Sequence, residues 1–151
     1  MSTIEKEDCL SPAQVETRLS TARTALERSD YALAAQIYRE ILDRTDSGAA
    51  AYQLGALYSQ GRGLEKNDLA ALYWFNKAEE QGVLEAGADC DGIFQTYYRN
   101  FSREDFADRI GLLAHWCRTG RGPVPLDRER GAYWTGRMEK VLNGPGKKGP
   151  S

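Results

Sequence analysis

The 151-residue sequence has only three cysteines and one histidine. Cys9, Cys90 and Cys117 are far apart and none belongs to a CxxC pair, so they support neither a disulfide framework nor a zinc site. A single histidine, His115, is too few for most metal sites and leaves little room for a hydrolytic triad. The composition therefore argues against an enzyme, and we predict no catalytic residue, no cofactor and no metal.

Long apolar runs are also missing, and none approaches the roughly 18 residues needed to cross a bilayer. Residues 1–14 contain no basic patch followed by an apolar stretch, which is the pattern of a secretory signal or a lipoprotein anchor. We therefore expect a cytoplasmic protein of one domain that has no membrane partner.

Neither sign of charge dominates, because 20 basic residues stand against 22 acidic ones. The balance conceals an asymmetry, since residues 1–91 carry a net charge of −7 and residues 92–151 carry +5. If sequence order follows a spatial axis, as it does in stacked repeats, one end of the molecule is acidic and the other is basic. The alternative interpretation is an evenly solvated surface.

Strand signals are missing, whereas helical signals recur from Ser11 to about Asn143. Ser11-Pro12-Ala13-Gln14 is a capping box with proline in the first turn, so the first helix begins there. Gly61-Arg62-Gly63 ends a later helix, and Ser102 with Asp105 three residues on begins another. These signals together predict seven helices.

The same signals set the domain boundaries. A glycine- and proline-rich run at 120–125 separates the sixth helix from the seventh, which we expect from about Leu126 to Leu142. We predict a helical repeat domain over residues 11–143. Residues 1–10 and 144–151 are predicted to be disordered, because neither segment can build a core.

The sequence contains an internal repeat, but the register of its C-terminal part has two interpretations. A shift of about 36 residues places Asp68, Ala71 and Ala78 on Glu104, Ala107 and Ala114, so the third unit covers residues 86–118. A second Gly-x-Gly-x4-Asp pattern, from Gly120 to Asp127, instead aligns with the first one and gives a longer register. The sequence does not decide between these two registers.

The segment from Ala50 to Gly63 contains an alanine, a Leu-Gly pair, a tyrosine and a Gly-x-Gly loop. The pattern continues through Asp68, Ala71, Trp74-Phe75, Lys77-Ala78, Gln81-Gly82 and Ala86. This unit resembles a Sel-one-like repeat, of the family related to tetratricopeptide repeats. Residues 86–118 depart from that family's pattern.

The resemblance implies an all-α fold, an α-α superhelix formed as a short right-handed solenoid. We expect about three helix pairs and a C-terminal capping helix. Helical spacing predicts that five side chains of the matching unit are buried on one face: Leu54, Tyr58, Ala71, Trp74 and Ala78. Gly55 and Ala71 are expected where the two helix axes approach closely.

The resemblance also implies a function, namely a non-enzymatic protein–protein interaction module that acts as an adaptor or scaffold. One alternative is an immunity protein that binds and neutralises a cognate bacterial toxin. A less favoured alternative is a hydrolase of the β-lactamase-like repeat type, but those relatives carry a cysteine pair in every repeat. Weak self-association through the oppositely charged halves is a further alternative.

The expected partner is another protein, bound through the concave face or the basic C-terminal end. Nucleic acid is not expected, because a sequence pI of about 5.5 and the acidic N-terminal half oppose polyanion binding. Either Tyr97 or Tyr98 should project from the core, since one stripe cannot bury every aromatic residue there. The candidate contacts are Gln53, Leu57, Ile93, Tyr97, Tyr98, Trp116, Arg118 and Arg121.

Overall fold

The computed structural model describes residues 9–143, and every regular element in that range is an α-helix. The seven helices are α1 (Pro12–Glu27), α2 (Tyr31–Arg44), α3 (Gly48–Gln60), α4 (Asp68–Glu80), α5 (Leu84–Asn100), α6 (Arg103–Thr119) and α7 (Arg128–Asn143). The all-α prediction is confirmed. So is the predicted number of helices over the described range.

Local polar side chains fix where these helices begin. The Ser11 amide donates to Gln14 Oε1 at 2.8 Å, and the Gln14 amide donates to Ser11 Oγ at 3.2 Å, so the predicted capping box is formed. Asp30, Asn67 and Ser102 cap α2, α4 and α6 in the same way, each accepting from an amide three residues later. The sequence therefore predicts helix starts well.

Helices adjacent in sequence pack in pairs, as α1 with α2, α3 with α4, and α6 with α7, and α2 also packs on α3. Compactness divides the chain between Asp89 and Cys90, within α5. We call the part before this division unit 1 and the part after it unit 2. The sequential pairing agrees with the helical-repeat fold expected from the resemblance.

Unit 1 is organised around α4, whose residues from Leu69 to Asn76 are all buried. A helix that is buried on all sides is a core helix rather than an amphipathic surface helix. The five side chains predicted to form the packing face of this unit, Leu54, Tyr58, Ala71, Trp74 and Ala78, are all buried. That prediction is confirmed.

Unit 2 has its own core, in which Trp134 of α7 is fully buried. The Trp134 ring lies 6.2 Å from the ring of Phe94, and Phe94 lies 6.0 Å from Phe106. An apolar stripe of α6 is buried as well, with Ile110 and Leu113 fully inaccessible. Aromatic residues from three helices thus hold this unit together.

The two segments predicted to be disordered remain untested by this structure. They fall almost entirely on residues 1–8 and 144–151, which lie outside the described range. Among the helices that the structure does describe, none has both the length and the apolar character of a bilayer-spanning segment.

Candidate partner-binding surfaces

The turns of the α3–α4 and α6–α7 hairpins have the same backbone geometry. Gly61 follows α3 with φ 68° and ψ 34°, and Gly120 follows α6 with φ 69° and ψ 14°. These left-handed conformations suit glycine, which has no Cβ to clash with the backbone. Each loop then returns to its own hairpin, since Asn67 N donates to Tyr58 O at 3.0 Å and Asp127 N donates to Cys117 O at 2.7 Å.

The two loops differ in length by a single residue. The loop from Gly61 to the N-cap residue Asn67 is the shorter, and the loop from Gly120 to the N-cap residue Asp127 is the longer. The Gly-x-Gly-x4-Asp spacing had aligned Asp127 with Asp68, but Asp68 is the first residue of α4 whereas Asp127 precedes α7. Equivalent residues of the two repeats are therefore one position further apart in the sequence after the loop than before it.

The second helices of the two hairpins carry the same aromatic pair. Tyr73 packs edge-on against Trp74 at 4.8 Å, and Tyr133 packs edge-on against Trp134 at 4.8 Å. Both tryptophans bury an Nε1 group that has no hydrogen-bond partner in the structure. Because each tryptophan lies equally far along the chain from its own N-cap residue, Trp74 and Trp134 occupy equivalent positions. The geometry thus favours the longer of the two registers left open by the sequence.

Two of the predicted contact residues, Leu57 and Tyr97, are buried, so the prediction that they contact a partner is wrong. Leu57 is 3% exposed, because α3 packs on both α2 and α4 and has little free face. Tyr97 is 4% exposed, because its ring packs edge-on against Phe101 and Phe106 at 5.5 and 5.8 Å. Neither side chain presents a surface to a partner.

The neighbouring candidates are more accessible. Tyr98 is exposed, so the prediction that one of the paired tyrosines projects from the core is confirmed for Tyr98. Gln53 in unit 1 and Ile93 in unit 2 are half-buried. The structure shows that these three side chains reach solvent, and their role in binding stays a prediction.

Trp116, Arg118 and Arg121 lie at the end of α6 and in the loop after it, which we call the α6 terminus. Trp116 is half-buried, and its ring covers the backbone of Gly122 so closely that a Cβ there would overlap it. Arg118 is exposed and donates from Nη1 to Thr135 Oγ1 at 2.9 Å. Arg121 is also exposed. Residues 116–126 include no acidic side chain, so this end of α6 is positively charged.

Three basic and aromatic residues of α7 are used differently. Trp134 is fully buried. Arg130 and Arg137 instead stack on the Tyr133 ring, at 4.6 and 6.0 Å from its centroid, and Arg137 Nη1 donates to Tyr133 Oη at 3.2 Å. Cation–π packing along α7 therefore holds these two arginines of the basic C-terminal end against the protein.

Arg137 also borders a cavity that the sequence did not reveal. This cavity has a volume of about 310 Å³, and its walls come from α5, α6 and α7 of unit 2. Two further cations, Arg103 and Lys140, line it. A spacing of three residues from Arg137 to Lys140 places both on one side of α7, and this was the available sequence signal.

Two buried tyrosines of unit 1 have suppressed ionisation. Burial raises the pKa of Tyr38, partly opposed by the charge of Arg23. Burial likewise raises the pKa of Tyr58, and Arg39 opposes the rise by donating from Nη2 to Tyr58 Oη at 3.2 Å. These phenols stay protonated at neutral pH and serve packing rather than acid–base chemistry.

In the part of the chain that the structure describes, no group of three or more His, Cys, Asp or Glu side chains could hold a metal ion. Of the cysteines, Cys90 and Cys117 are buried and Cys9 is exposed, and none of the three is in a disulfide.

Comparison with known protein families identifies the repeat. The Sel1 repeat matches the chain at residues 48–83 and again at residues 111–137. The first match covers α3 and α4, and the second covers the last part of α6, its loop and the first part of α7. The resemblance stated from the sequence is confirmed, and the second match follows the longer register rather than residues 86–118. No curated protein matches the chain.

Proposed function

We propose that this chain, with its two Sel1 repeat matches, is a non-enzymatic adaptor that binds another protein through the α6 terminus of unit 2. Sel1 repeats typically mediate protein–protein interactions, and the two matches are the observation that carries the proposal. The immunity role and the cytoplasmic location considered from the sequence stay predictions.

The distribution of the repeat residues supports this proposal. In both hairpins the small and aromatic residues of the repeat are used for turns and packing, as with Gly61, Trp74 and Trp134. Side chains engaged in this way are not available for chemistry. What each hairpin offers to other molecules is its exposed surface.

The α6 terminus is the surface whose composition best fits a protein partner. Trp and Arg are the residue types most enriched among energetically important interface contacts, and Trp116, Arg118 and Arg121 occur close together in the sequence. Their positive charge would complement an acidic partner surface. Of the predicted contacts, these three are therefore our leading candidates, followed by Tyr98.

A capture experiment tests the proposal. The full chain is used as bait in an extract of its native cell, alongside the double variant Arg118→Glu with Arg121→Glu. We expect a specific protein to be retained by the original chain and lost with the variant. A variant with the same charge change in unit 1, Arg28→Glu with Lys66→Glu, should retain it, because both of these residues are exposed and remote in sequence from α6.

Binding of the recovered protein is then measured by calorimetry with purified components. Reversing two interface charges should weaken it by about tenfold or more. The proposal is wrong if a folded bait retains no specific protein. Its location at the α6 terminus is wrong if both double variants bind equally well.

A further inference from the structure

The cavity in unit 2 combines apolar walls with a cationic border. Phe94, Phe106 and Val141 supply apolar surface, and Phe94 and Phe106 also belong to the aromatic core, so the walls are firmly held. The volume of about 310 Å³ is at the lower end of the range of known ligand pockets. The cavity can therefore accept a bulky apolar group.

The three cations at the border are held in different ways. Arg137 lies over the Phe94 ring at 4.5 Å, and Arg103 Nη1 donates to the carbonyl of Leu142 at 3.4 Å. Lys140 is exposed in the last turn of α7. None of the three forms an ion pair with a described residue, and no acidic side chain of the described range lines the cavity. The charge there is uncompensated.

We propose that this cavity is the docking site for a short acidic segment of a partner protein, with one bulky apolar side chain inserted between Phe94, Phe106 and Val141. Carboxylates on either side of that side chain would meet Arg103 and Lys140. The inference rests on the proposed function and adds to it a second contact site in unit 2, at the start of α6 and the end of α7, together with the chemistry of the segment recognised there.

A peptide fits this site better than a small carboxylate does, because part of the aromatic lining is open to solvent. Tyr98 lines the cavity and is 37% exposed. Such a surface can contact residues on both sides of an inserted side chain. Residues 144–151 of this chain do not complement the border, since they contain two lysines and no acidic residue.

Fluorescence anisotropy with three labelled pentapeptides tests the proposal on the full chain. The first probe is Asp-Glu-Phe-Glu-Asp, which has both required features. The second, Asp-Glu-Ser-Glu-Asp, lacks the apolar side chain, and the third, Lys-Arg-Phe-Arg-Lys, has the opposite charge. We expect saturable binding of the first probe, at least tenfold weaker binding of the other two, and a loss of affinity as ionic strength rises.

Two variants test whether the first probe binds at the cavity. Lys140→Glu reverses a charge at the border and should weaken binding of the first probe about five- to tenfold. Gln95 lines the cavity and is exposed on α5, so Gln95→Trp places an indole in the lining. This variant should weaken binding of the first probe to a similar extent without changing any charge. The matched controls are Arg128→Glu, at the opposite end of α7, and Thr96→Trp, next to Gln95 but outside the lining.

The controls should bind the first probe as the original chain does, and circular dichroism melts should show that all four variants fold. Equal binding of the three probes, or unchanged binding by both cavity variants, would overturn the proposal. So would a concentration-dependent dimer that Gln95→Trp abolishes, because the occupant would then be a second copy of the chain.

This test can fail separately from the proposed function. If a captured partner is lost with the Arg118 and Arg121 double variant and no probe binds the cavity, the adaptor function stands and the cavity proposal falls. If the partner is instead lost with Lys140→Glu and Gln95→Trp alone, the adaptor function stands and its binding site is the cavity.

Discussion

The α3–α4 hairpin of unit 1 and the α6–α7 hairpin of unit 2 share a turn and an aromatic pair but use their second helices in different ways. In unit 1, α4 is buried on nearly all sides, from Leu69 to Asn76. In unit 2, α7 buries only Gly131 and Trp134 among its residues and packs Arg130 and Arg137 over aromatic rings. The repeat therefore determines the hairpin and leaves the outer surface free to vary.

The small residues at the helix contacts show the same freedom. In unit 1 the glycine is on the first helix, where Gly55 faces the Phe75 ring and the Ala71 carbonyl of α4. In unit 2 the matching contact has its glycine on the second helix, where Gly131 faces the Ala114 carbonyl and the Arg118 side chain of α6. Close approach requires a small residue on one of the two helices, and either helix can supply it.

The largest difference between the hairpins should appear at the second glycine of each turn. Gly63 has φ +74°, and a methyl group there would overlap the backbone of Tyr31 and Ala32 in α2. Since neither the conformation nor the overlap can be relieved by a side-chain rotation, we expect Gly63→Ala to cost about 3 kcal/mol or more of unfolding free energy. Urea denaturation followed by circular dichroism measures this loss.

Gly122→Ala is the matched substitution in unit 2. The added methyl would overlap the Trp116 ring, which is half-buried and can rotate away, and Gly122 lacks the left-handed φ of Gly63. We expect a cost of about 1 kcal/mol. Equal losses for the two variants would show that the second turn is as tightly constrained as the first.

A difference of sign is expected at the helix contacts. In Gly55→Ala the new methyl would lie 2.8 and 2.9 Å from two ring carbons of Phe75, so we expect a loss of about 1 to 3 kcal/mol. In Gly131→Ala it would lie 2.8 Å from Cγ of Arg118, a flexible exposed side chain, and 3.5 Å from the Ala114 carbonyl. There the gain in helix propensity, about 1 kcal/mol, should offset the destabilisation caused by this contact or exceed it.

Hydrogen exchange read separately over α3–α4 and α6–α7 shows which hairpin each variant affects. Gly55→Ala should speed exchange in unit 1, and Gly131→Ala should slow it or leave it unchanged in unit 2. A destabilised α6–α7 hairpin in Gly131→Ala would show that its helix contact is as close as the one at Gly55.

Helix existence and helix starts could be predicted from the sequence because they depend on residues close together in the chain. The capping box at Ser11 and the glycine turn at Gly61 are local devices, and both formed as expected. The lengthening of the second loop by a single residue could not be seen, because an aspartate suits both the N-cap position of Asp127 and the first-turn position of Asp68.

Accessibility was harder to predict, because it depends on helices that are distant in sequence. Leu57 is a predicted contact residue, but it is buried because α3 packs on two neighbouring helices. The cavity was missed for the same reason, since Phe94, Arg103 and Lys140 come from three helices. Periodicity within one helix carries no information on which helices cover it.

The smallest expected effect concerns the raised tyrosine pKa values of unit 1. Because the folded-state pKa of Tyr58 is raised, the stability linked to its protonation is complete below the pKa of the unfolded chain, about 10, and is lost as pH rises through the folded value. Tyr58→Phe removes this dependence along with the bond from Arg39, costing about 1 kcal/mol at neutral pH. In unit 2 the equivalent residue is Cys117.

Unfolding midpoints measured from about pH 8 to about pH 11 test this expectation. The original chain should lose stability more steeply than Tyr58→Phe, and the difference should appear in the exchange rates of α3–α4 before those of α6–α7. Tyr98→Phe, which removes an exposed phenol from unit 2, is the matched control. If the original chain and Tyr58→Phe lose stability in parallel, alkaline unfolding is not linked to Tyr58.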